Sequence, residues 1–412
     1  MSSTESGGDS LRVAFLSPSW PPDRFPNGIA SYVSAIRSGL APLGVESLVL
    51  TSALREEDAV AGVSRLLDSD EGRPFGLRLW QRVAGTLSIN LGIQQNLGYR
   101  VGQSVKALEA SGPLDLVEVE ETFGIGAVVH REINTPLIVR LHGPWCVVGG
   151  ALGYARDKEF WVRCAAEFHA IRRAAAVSSP SQDALDRVRK MYRLDLPDAR
   201  VIPNPVPIPD AGLCFTTDKR DPDTILFVGR FDRVKGADTL LQAFVRVARG
   251  RPSLRLIFMG PDNGLLENGR AVRFEEYIRE RVPSALHERI DFRGASTAAE
   301  IGIERARAAV TIVSSRYETF CFAALEAMAA GSPLIAARVG GLREIIRDEE
   351  TGLFFEAEND SDLASKIERL LDDPGLAAKL GASARLHVAK YFSKGVVAAQ
   401  TLEFYRSVLA QG

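Results

Sequence analysis

The chain has 412 residues, enough for two or three domains at about 150 residues each. Hydrophobic residues make up 46% and charged residues 25%, the composition of an ordinary soluble globular protein rather than a fibrous or disordered one. The formal net charge is -2, so no global charge draws the chain onto nucleic acid.

The first ten residues, MSSTESGGDS, are polar and lack the basic and apolar stretches of a signal peptide; they are expected to be disordered. Leu11–Ser17 is a short apolar run that reads as a buried strand. A proline-rich loop ends in Pro26-Asn27-Gly28 and leads into a helical pattern that Gly44 stops. Ser47–Thr51, Leu114–Val119, Pro136–Leu141 and Ala174–Ser178 are the next strand candidates, with helices over Glu159–Arg173 and Ser181–Tyr192. Residues 54–100 are less regular. There Leu79, Trp80, Leu87, Ile89 and Leu91 stand among Arg73, Arg78 and Arg82, which suits an insertion near a substrate cleft, a membrane-facing surface or ordinary helix packing, and ordinary packing is the expectation. No apolar run approaches the roughly 20 residues that span a bilayer. The expected location is the cytoplasm, at most peripherally on the inner face of the membrane.

Val201–Asp210 reads VIPNPVPIPD, where alternating prolines remove backbone donors and stiffen the chain into an extended linker. After it the alternation restarts. Strands are expected at Thr224–Val228, Arg255–Met259, Ile290–Phe292, Val310–Val313 and Pro333–Ala336. Helices are expected at Gly236–Arg249, Arg273–Arg281, Ala298–Ala308, Phe320–Ala330 and Asp360–Leu371. Two successive α/β halves joined by a proline linker imply two doubly wound domains, each a parallel sheet covered on both faces, facing a cleft. A last helix over Val396–Leu409 carries Val397, Leu402, Tyr405 and Leu409 at helical spacing and needs a surface to cover.

The most informative segment is VSSRYETFCFAALEAMAAG at 313–331, a strand end, a polar loop and a helix starting near Thr319 or Phe320. A helix N-terminus offers unpaired N–H groups and partial positive charge, which suits phosphate. Glu318 stands just ahead of it and is placed to accept hydrogen bonds from sugar hydroxyls, while Glu326 lies about two turns into the helix. Taken alone, the pair is equally compatible with a capping acid and a solvated helix residue. In FVGRFDRVKG at 227–236, Gly229 and Arg230 fall at a strand's carboxyl end and Lys235 opens the next helix, so both cations can point at a cleft and neutralise a diphosphate. Two surface cations are the plainer reading. Gly28 opens a helix where backbone N–H groups can approach phosphate. His142 follows an apolar run at another strand end; a structural hydrogen bond is the commoner fate of such a histidine. Cys146, Cys164, Cys214 and Cys321 show no CxxC pair and no zinc spacing, and are expected to be buried free thiols. GxxxxGK[ST], GxGxxG after the first strand, HExxH, GxSxG and EF-hand patterns are all missing.

In this order the segments resemble the family-4 retaining glycosyltransferases of GT-B fold. The carrying residues are Pro26-Asn27-Gly28, His142-Gly143, GRFDRVKG at 229–236 and the E-x7-E element from Glu318 to Glu326, with VIPNPV at 201–206, GPD at 260–262, DFRGA at 291–295 and GSPLIAARVGG at 331–341 around them. The resemblance covers nearly the whole chain and is weakest over 54–110. It implies an α/β GT-B architecture: residues 1–205 plus 392–412 form an acceptor-binding Rossmann-like domain, 206–391 a nucleotide-sugar-binding one, and the last helix crosses back onto the first. The implied activity is transfer of a hexose-type sugar from a nucleotide diphosphate sugar, with a UDP- or GDP-sugar as donor. The acceptor is a glycan, a lipid-linked or a small-molecule hydroxyl, and no metal or other cofactor is implied. Arg230 and Lys235 hold the diphosphate, Glu318 the sugar and Glu326 the ribose. Main-chain groups of Phe320, Cys321 and Phe322 meet the phosphates, with Leu325 and Gly229 beside them. His142 lies near the reacting carbon, Gly28 reaches the diphosphate from the other domain, and Arg293 lies near the base. Two departures stand out: the family's frequent Gly-Phe-Gly is Thr319-Phe320-Cys321 here, and the N-terminal loop has one glycine where two are common. A sugar-nucleotide epimerase or hydrolase on the same fold, or a non-catalytic nucleotide-sugar binder, is the alternative.

Overall fold

The computed structural model describes residues 10–25, 27–68, 75–267 and 270–411. Residues 1–9, Pro26 and Arg73, which figured in the expectations above, lie outside them.

Two parallel sheets carry the molecule. The first holds β1 (Arg12–Ser19), β2 (Glu46–Ala53), β3 (Val63–Arg65), β4 (Leu116–Glu120), β5 (Leu137–Arg140), β6 (Ala176–Ser179) and β7 (Arg200–Val201) in the order β3-β2-β1-β4-β5-β6-β7. The second is built from β8 (Asp221–Val228), β10 (Arg255–Met259), β13 (Ile290–Gly294), β14 (Ala308–Val313), β15 (Leu334–Ala337) and β16 (Leu353–Phe355), ordered β13-β10-β8-β14-β15-β16. A small third sheet, β12-β11-β9, comes from β9 (Phe231–Asp232), β11 (Asp262–Glu267) and β12 (Arg270–Val272). It was not anticipated, because its strands are too short and polar to carry a periodic signal. Strands such as β4, β5, β14 and β15 are buried along their whole length, as sheets covered on both faces require.

The helices follow the expected pattern, with the long Pro374–Tyr391 helix as an addition that the sequence pattern did not mark. The segment 54–100 resolves into β3, a helix over Phe75–Leu87 and most of the helix Ile89–Glu109. Ordinary packing was expected for its apolar residues, and for most of them this was wrong: Leu79, Trp80, Leu87 and Ile89 are exposed. Among the described residues no helix is long and apolar enough to cross a membrane.

The proline segment is packed rather than free. Ile202, Asn204 and Val206 are buried, and Val206 N donates to Phe392 O at 3.0 Å, so the two passages of chain between the sheets run side by side. Beyond that point the Lys394–Leu409 helix lies on the Gly28–Leu40 helix, its Val397, Leu402 and Tyr405 sharing a core with Tyr32, Val33 and Ile36. The last helix thereby finds its surface on the first sheet's layer.

That junction is polar at its centre. Glu118 in β4 is buried and accepts from Tyr32 Oη at 2.8 Å and from Tyr405 Oη at 2.9 Å. Burial raises its carboxyl pKa, opposed by the charge of Arg140 and by the two hydroxyls. Arg140 is itself 1% exposed, lies 4.1 Å over the Tyr32 ring, and donates to Asn204 Oδ1 at 2.8 Å and Ile202 O at 2.9 Å. A Tyr405→Phe substitution leaves one buried carboxylate oxygen without its donor. It is expected to lower the unfolding free energy by about 1–3 kcal/mol, measured by urea denaturation, with tryptophan fluorescence and circular dichroism transitions coinciding.

Candidate active site in the cleft

In each parallel sheet the chain starts near the middle, builds to one side, then crosses to the other. The reversal lies between β1 and β4 in the first sheet and between β8 and β14 in the second. Loops leaving the carboxyl ends of strands at such reversals diverge and leave a crevice, the usual place for a ligand. The loops after β1, β4, β8 and β14 carry Gly28, Glu121, Gly229-Arg230 and Ser314–Cys321, and His142 follows the neighbouring β5.

On the second sheet the expected cations and acids come together. Lys235 Nζ donates to Glu318 Oε1 at 2.5 Å, and Ser315 Oγ donates to the same oxygen at 2.7 Å. Burial is the largest single influence and disfavours the charged Lys235, but the charge and hydrogen bond of Glu318, with Cys321, together outweigh it, so the lysine pKa is raised and the ammonium stays charged. Arg230 Nε meets Asp232 Oδ2 at 2.6 Å, and Asp232 Oδ1 accepts from the Lys235 backbone N–H at 2.8 Å. Asp232 and Ser315 were not singled out in the sequence, although both lie inside the segments that were. Gly236 has φ +64°, and a Cβ there would sit 1.9 Å from Ser314 O, so the two loops can meet only over a glycine. Under Glu318, Gly340 is equally constrained: at φ +42° its Cβ would lie 2.1 Å from Glu318 O.

The helix after β14 starts later than expected, at Phe322 rather than Thr319 or Phe320, and runs to Ala330. Thr319 does not cap it. Its hydroxyl donates across the cleft to His142 O at 2.6 Å. Cys321 occupies the N-cap position at φ +86°, a conformation that costs a residue with a Cβ and suits glycine, which is the residue frequent there in the family resembled. Gly28 begins the Gly28–Leu40 helix, whose Ile29 N–H is capped by Asn27 Oδ1 at 2.8 Å, and a Cβ on Gly28 would lie 3.9 Å from Phe322 Cδ2. Two helix N-termini therefore approach one another across the cleft.

The other expected site residues are placed as follows. Phe320 and Leu325 turn their side chains into the core, at 3% and 0% exposure, leaving only backbone to offer a ligand. The Arg293 guanidinium is held by Asp291 at 2.8 Å and Glu304 at 2.7 Å, so it is engaged beside β13 rather than extended toward a base. Glu326 does stand on the second turn of its helix, but Arg305, a residue the sequence gave no reason to choose, holds its Oε2 at 2.7 Å. Gly229 keeps its place, its N–H donating to Met259 O at 2.9 Å.

On the first sheet the His142 loop hangs from buried acids. Glu121 accepts from the backbone N–H of His142 at 2.8 Å and of Gly143 at 2.7 Å, and Glu167 accepts from Trp145 N–H at 2.7 Å. The His142 ring meets Tyr32 edge-on with centroids 5.0 Å apart. Burial, helped by Arg140, drops its pKa well below 6.5, so the imidazole is neutral at pH 7. The halves are tied at their rim: Ser181 Oγ donates to Thr319 O at 2.5 Å, and Glu344 caps the Gln182 and Asp183 N–H groups at 2.7 and 2.8 Å. A cavity of about 660 Å³ opens beside this rim, lined by Asp183, Arg187, Gly340 and Arg343 among others.

Known proteins bear directly on this geometry. The pattern of the family "Glycosyl transferases group 1" matches residues 216–387, and that of the "Glycosyl transferase 4-like domain" matches residues 27–205. The chain belongs to the family-4 glycosyltransferases of GT-B fold. D-inositol 3-phosphate glycosyltransferase of Nocardiopsis dassonvillei is 28% identical over 286 residues, which cover 64% of this glycosyltransferase and 63% of the relative, just under two thirds of its length. Sucrose-phosphate synthase from Thermosynechococcus elongatus superimposes with a TM-score of 0.77 at 24% identity, covering 98% of this chain and 100% of that one. Anabaena HepE in complex with UDP-glucose gives 0.71 at 18% identity, covering 96% and 100%.

Around the His142 loop the chain concentrates buried carboxyl groups, Glu120, Glu121 and Glu167. Burial, and then the charge of Glu121, push Glu120 and Glu167 each up to about 8 from an ordinary 4.5, with Arg163 opposing. Glu120 Oε2 is buried without a partner. A carboxyl whose folded pKa exceeds its unfolded one favours the folded state fully below the unfolded value and loses that contribution as pH rises through the folded one. Glu120→Gln is therefore expected to match the wild-type Tm near pH 4 and to exceed it by about 1–3 °C near pH 9. Calorimetry at the two pH values checks this, and an equal shift at both would contradict it.

Proposed function

We propose that this glycosyltransferase moves a hexose-type sugar from a UDP- or GDP-sugar to a hydroxyl of a glycan, lipid-linked or small-molecule acceptor, with retention at the anomeric carbon and without a metal ion. The observation that carries the reading is the Lys235–Glu318 contact, which brings a half-buried cation and a carboxylate together at the reversal between β8 and β14. A diphosphate entering here finds Arg230 and Lys235 on one side and two helix N-termini on the others, charge that stabilises the leaving nucleotide as the sugar–phosphate bond breaks. The UDP-glucose named in the HepE complex supports a nucleotide-sugar donor. Glu318, held by Lys235 and Ser315, is set to accept sugar hydroxyls, and Glu326 to exchange Arg305 for the ribose hydroxyls. His142, kept neutral, lies on the acceptor half near the reacting carbon. The acceptor oxygen bonds to the anomeric carbon on the face the phosphate leaves, and that phosphate takes the acceptor's proton.

Lys235→Ala and Glu326→Ala are each expected to lose the rise in Tm that UDP- or GDP-sugars give the wild type while still melting cooperatively. Lys235→Ala is also expected to cut turnover at least about 100-fold. Donor-dependent thermal shifts read the first, and nucleotide release with and without acceptor extract reads the second. Normal donor binding by both variants would overturn the site, and nucleotide release that no acceptor stimulates would favour an epimerase or hydrolase. Release unchanged by EDTA is the expected result for the metal-independent reaction, and loss restored by a divalent cation would refute it.

A further inference from the structure

The Phe75–Leu87 helix is inside out. At about 100° per residue, Phe75, Leu79, Val83, Leu87 and Trp80 share one arc, with exposures of 76%, 53%, 40%, 52% and 46%. The residues that face the protein are the buried Gln81 and Ala84, one polar and one small, with only the half-buried Leu77 as a large apolar side chain beside them. Hydrophobic burial thus gives this helix little reason to lie where it does, and its large apolar side chains point to solvent. Ile89, at 71% exposure, extends the patch into the next helix.

Charge decides what covers it. Arg78 and Arg82, one turn apart, border the apolar arc on one side and are both exposed. From residue 75 to residue 108 the sequence contains no aspartate or glutamate, against Arg78, Arg82, Arg100 and Lys106. Glu159, which packs here, is already engaged by Ser88 Oγ at 2.7 Å and Asn90 Nδ2 at 2.9 Å. A second copy meeting this face about a two-fold axis would bring the same arginines together with no acid of the segment to offset them. An apolar stripe bordered by arginines instead matches the boundary between acyl chains and anionic headgroups.

We propose that the Phe75–Leu87 helix docks the chain on an anionic lipid bilayer, its apolar arc in the headgroup layer and Arg78 and Arg82 on lipid phosphates. The helix is fixed to the half that carries His142, since Lys158 Nζ donates to Leu87 O at 2.7 Å and the Lys158–Arg173 helix holds the Trp145 loop through Glu167. Docking does not depend on the transfer reaction, and it is tested without donor or acceptor.

Full-length protein is sedimented with vesicles of phosphatidylcholine alone and of phosphatidylcholine containing about three parts in ten phosphatidylglycerol. The expected result is binding to the anionic vesicles only, weakened by salt. Arg78→Gln/Arg82→Gln is expected to bind roughly thirty-fold more weakly, and Leu79→Ser/Val83→Ser to lose binding, both with wild-type Tm. The proposal fails if the wild type binds no vesicles or binds neutral ones equally, or if either folded double variant binds as the wild type does. It also fails if sedimentation velocity shows a dimer that Leu79→Ser/Val83→Ser dissociates, which would assign the face to a second copy.

Discussion

The buried carboxylate of Glu118 is the point at which the two ends of the chain are joined. Two tyrosines reach it from opposite ends of the chain, Tyr32 from the first helix and Tyr405 from the last, and Arg140 stacks over Tyr32 from the adjacent strand. A charge taken out of water is tolerated only while its partners stay in place, so losing any one leaves an uncompensated group in a dry core. The consequence is positional. Arg140 also grips Asn204 and Ile202 in the proline segment, and two residues after it comes His142. The return of the last helix, the path between the sheets and the floor of the cleft are set by one polar cluster.

The cleft applies the same rule with a different purpose. Lys235 pairs with Glu318, Arg230 with Asp232, and Arg305 with Glu326. The Lys235 and Arg305 cations are held in partly dehydrated places where they would be costly alone, while Arg230 is more exposed. Recognition in such a site is an exchange of partners rather than the filling of a bare charge. On the proposed reading, the cost of separating the pairs is offset by a ligand that offers phosphate to Arg230 and Lys235 and hydroxyls to Glu318 and Glu326 together. Opposite them, Glu121 fixes the His142–Gly143 backbone through two N–H groups, so the two faces of the cleft are held by unlike means.

Much of this was legible in the sequence. Strands buried on both faces are unbroken apolar runs, so β1, β5, β10 and β14 were found within a residue or two. The segments around Arg230, Lys235, Glu318 and Glu326 stood out because loops at strand ends carried charge where the flanking runs did not. The helix start was misplaced because Thr319 has the chemistry of a cap, while its hydroxyl is engaged by the opposite half of the molecule. That Phe320 and Leu325 turn their side chains into the core, and that Asp291 and Glu304 hold Arg293, could not be read from spacing along the chain.

The sequence by itself determined the alternation of strands and helices, the proline segment between two similar halves, and the residue types gathered at the strand ends. These are local properties, written in periodicity and in where glycine, proline and charge fall. Only the tertiary structure decided which charges meet. The Lys235–Glu318, Arg305–Glu326 and Glu118–Tyr405 contacts join residues 83, 21 and 287 positions apart, and no local pattern encodes them. It also decided that Cys321 takes a left-handed backbone and that Leu79 and Trp80 face outward. Both follow from how the finished layers pack, which fixes where a chain must turn and which face of a helix has nothing to lie against.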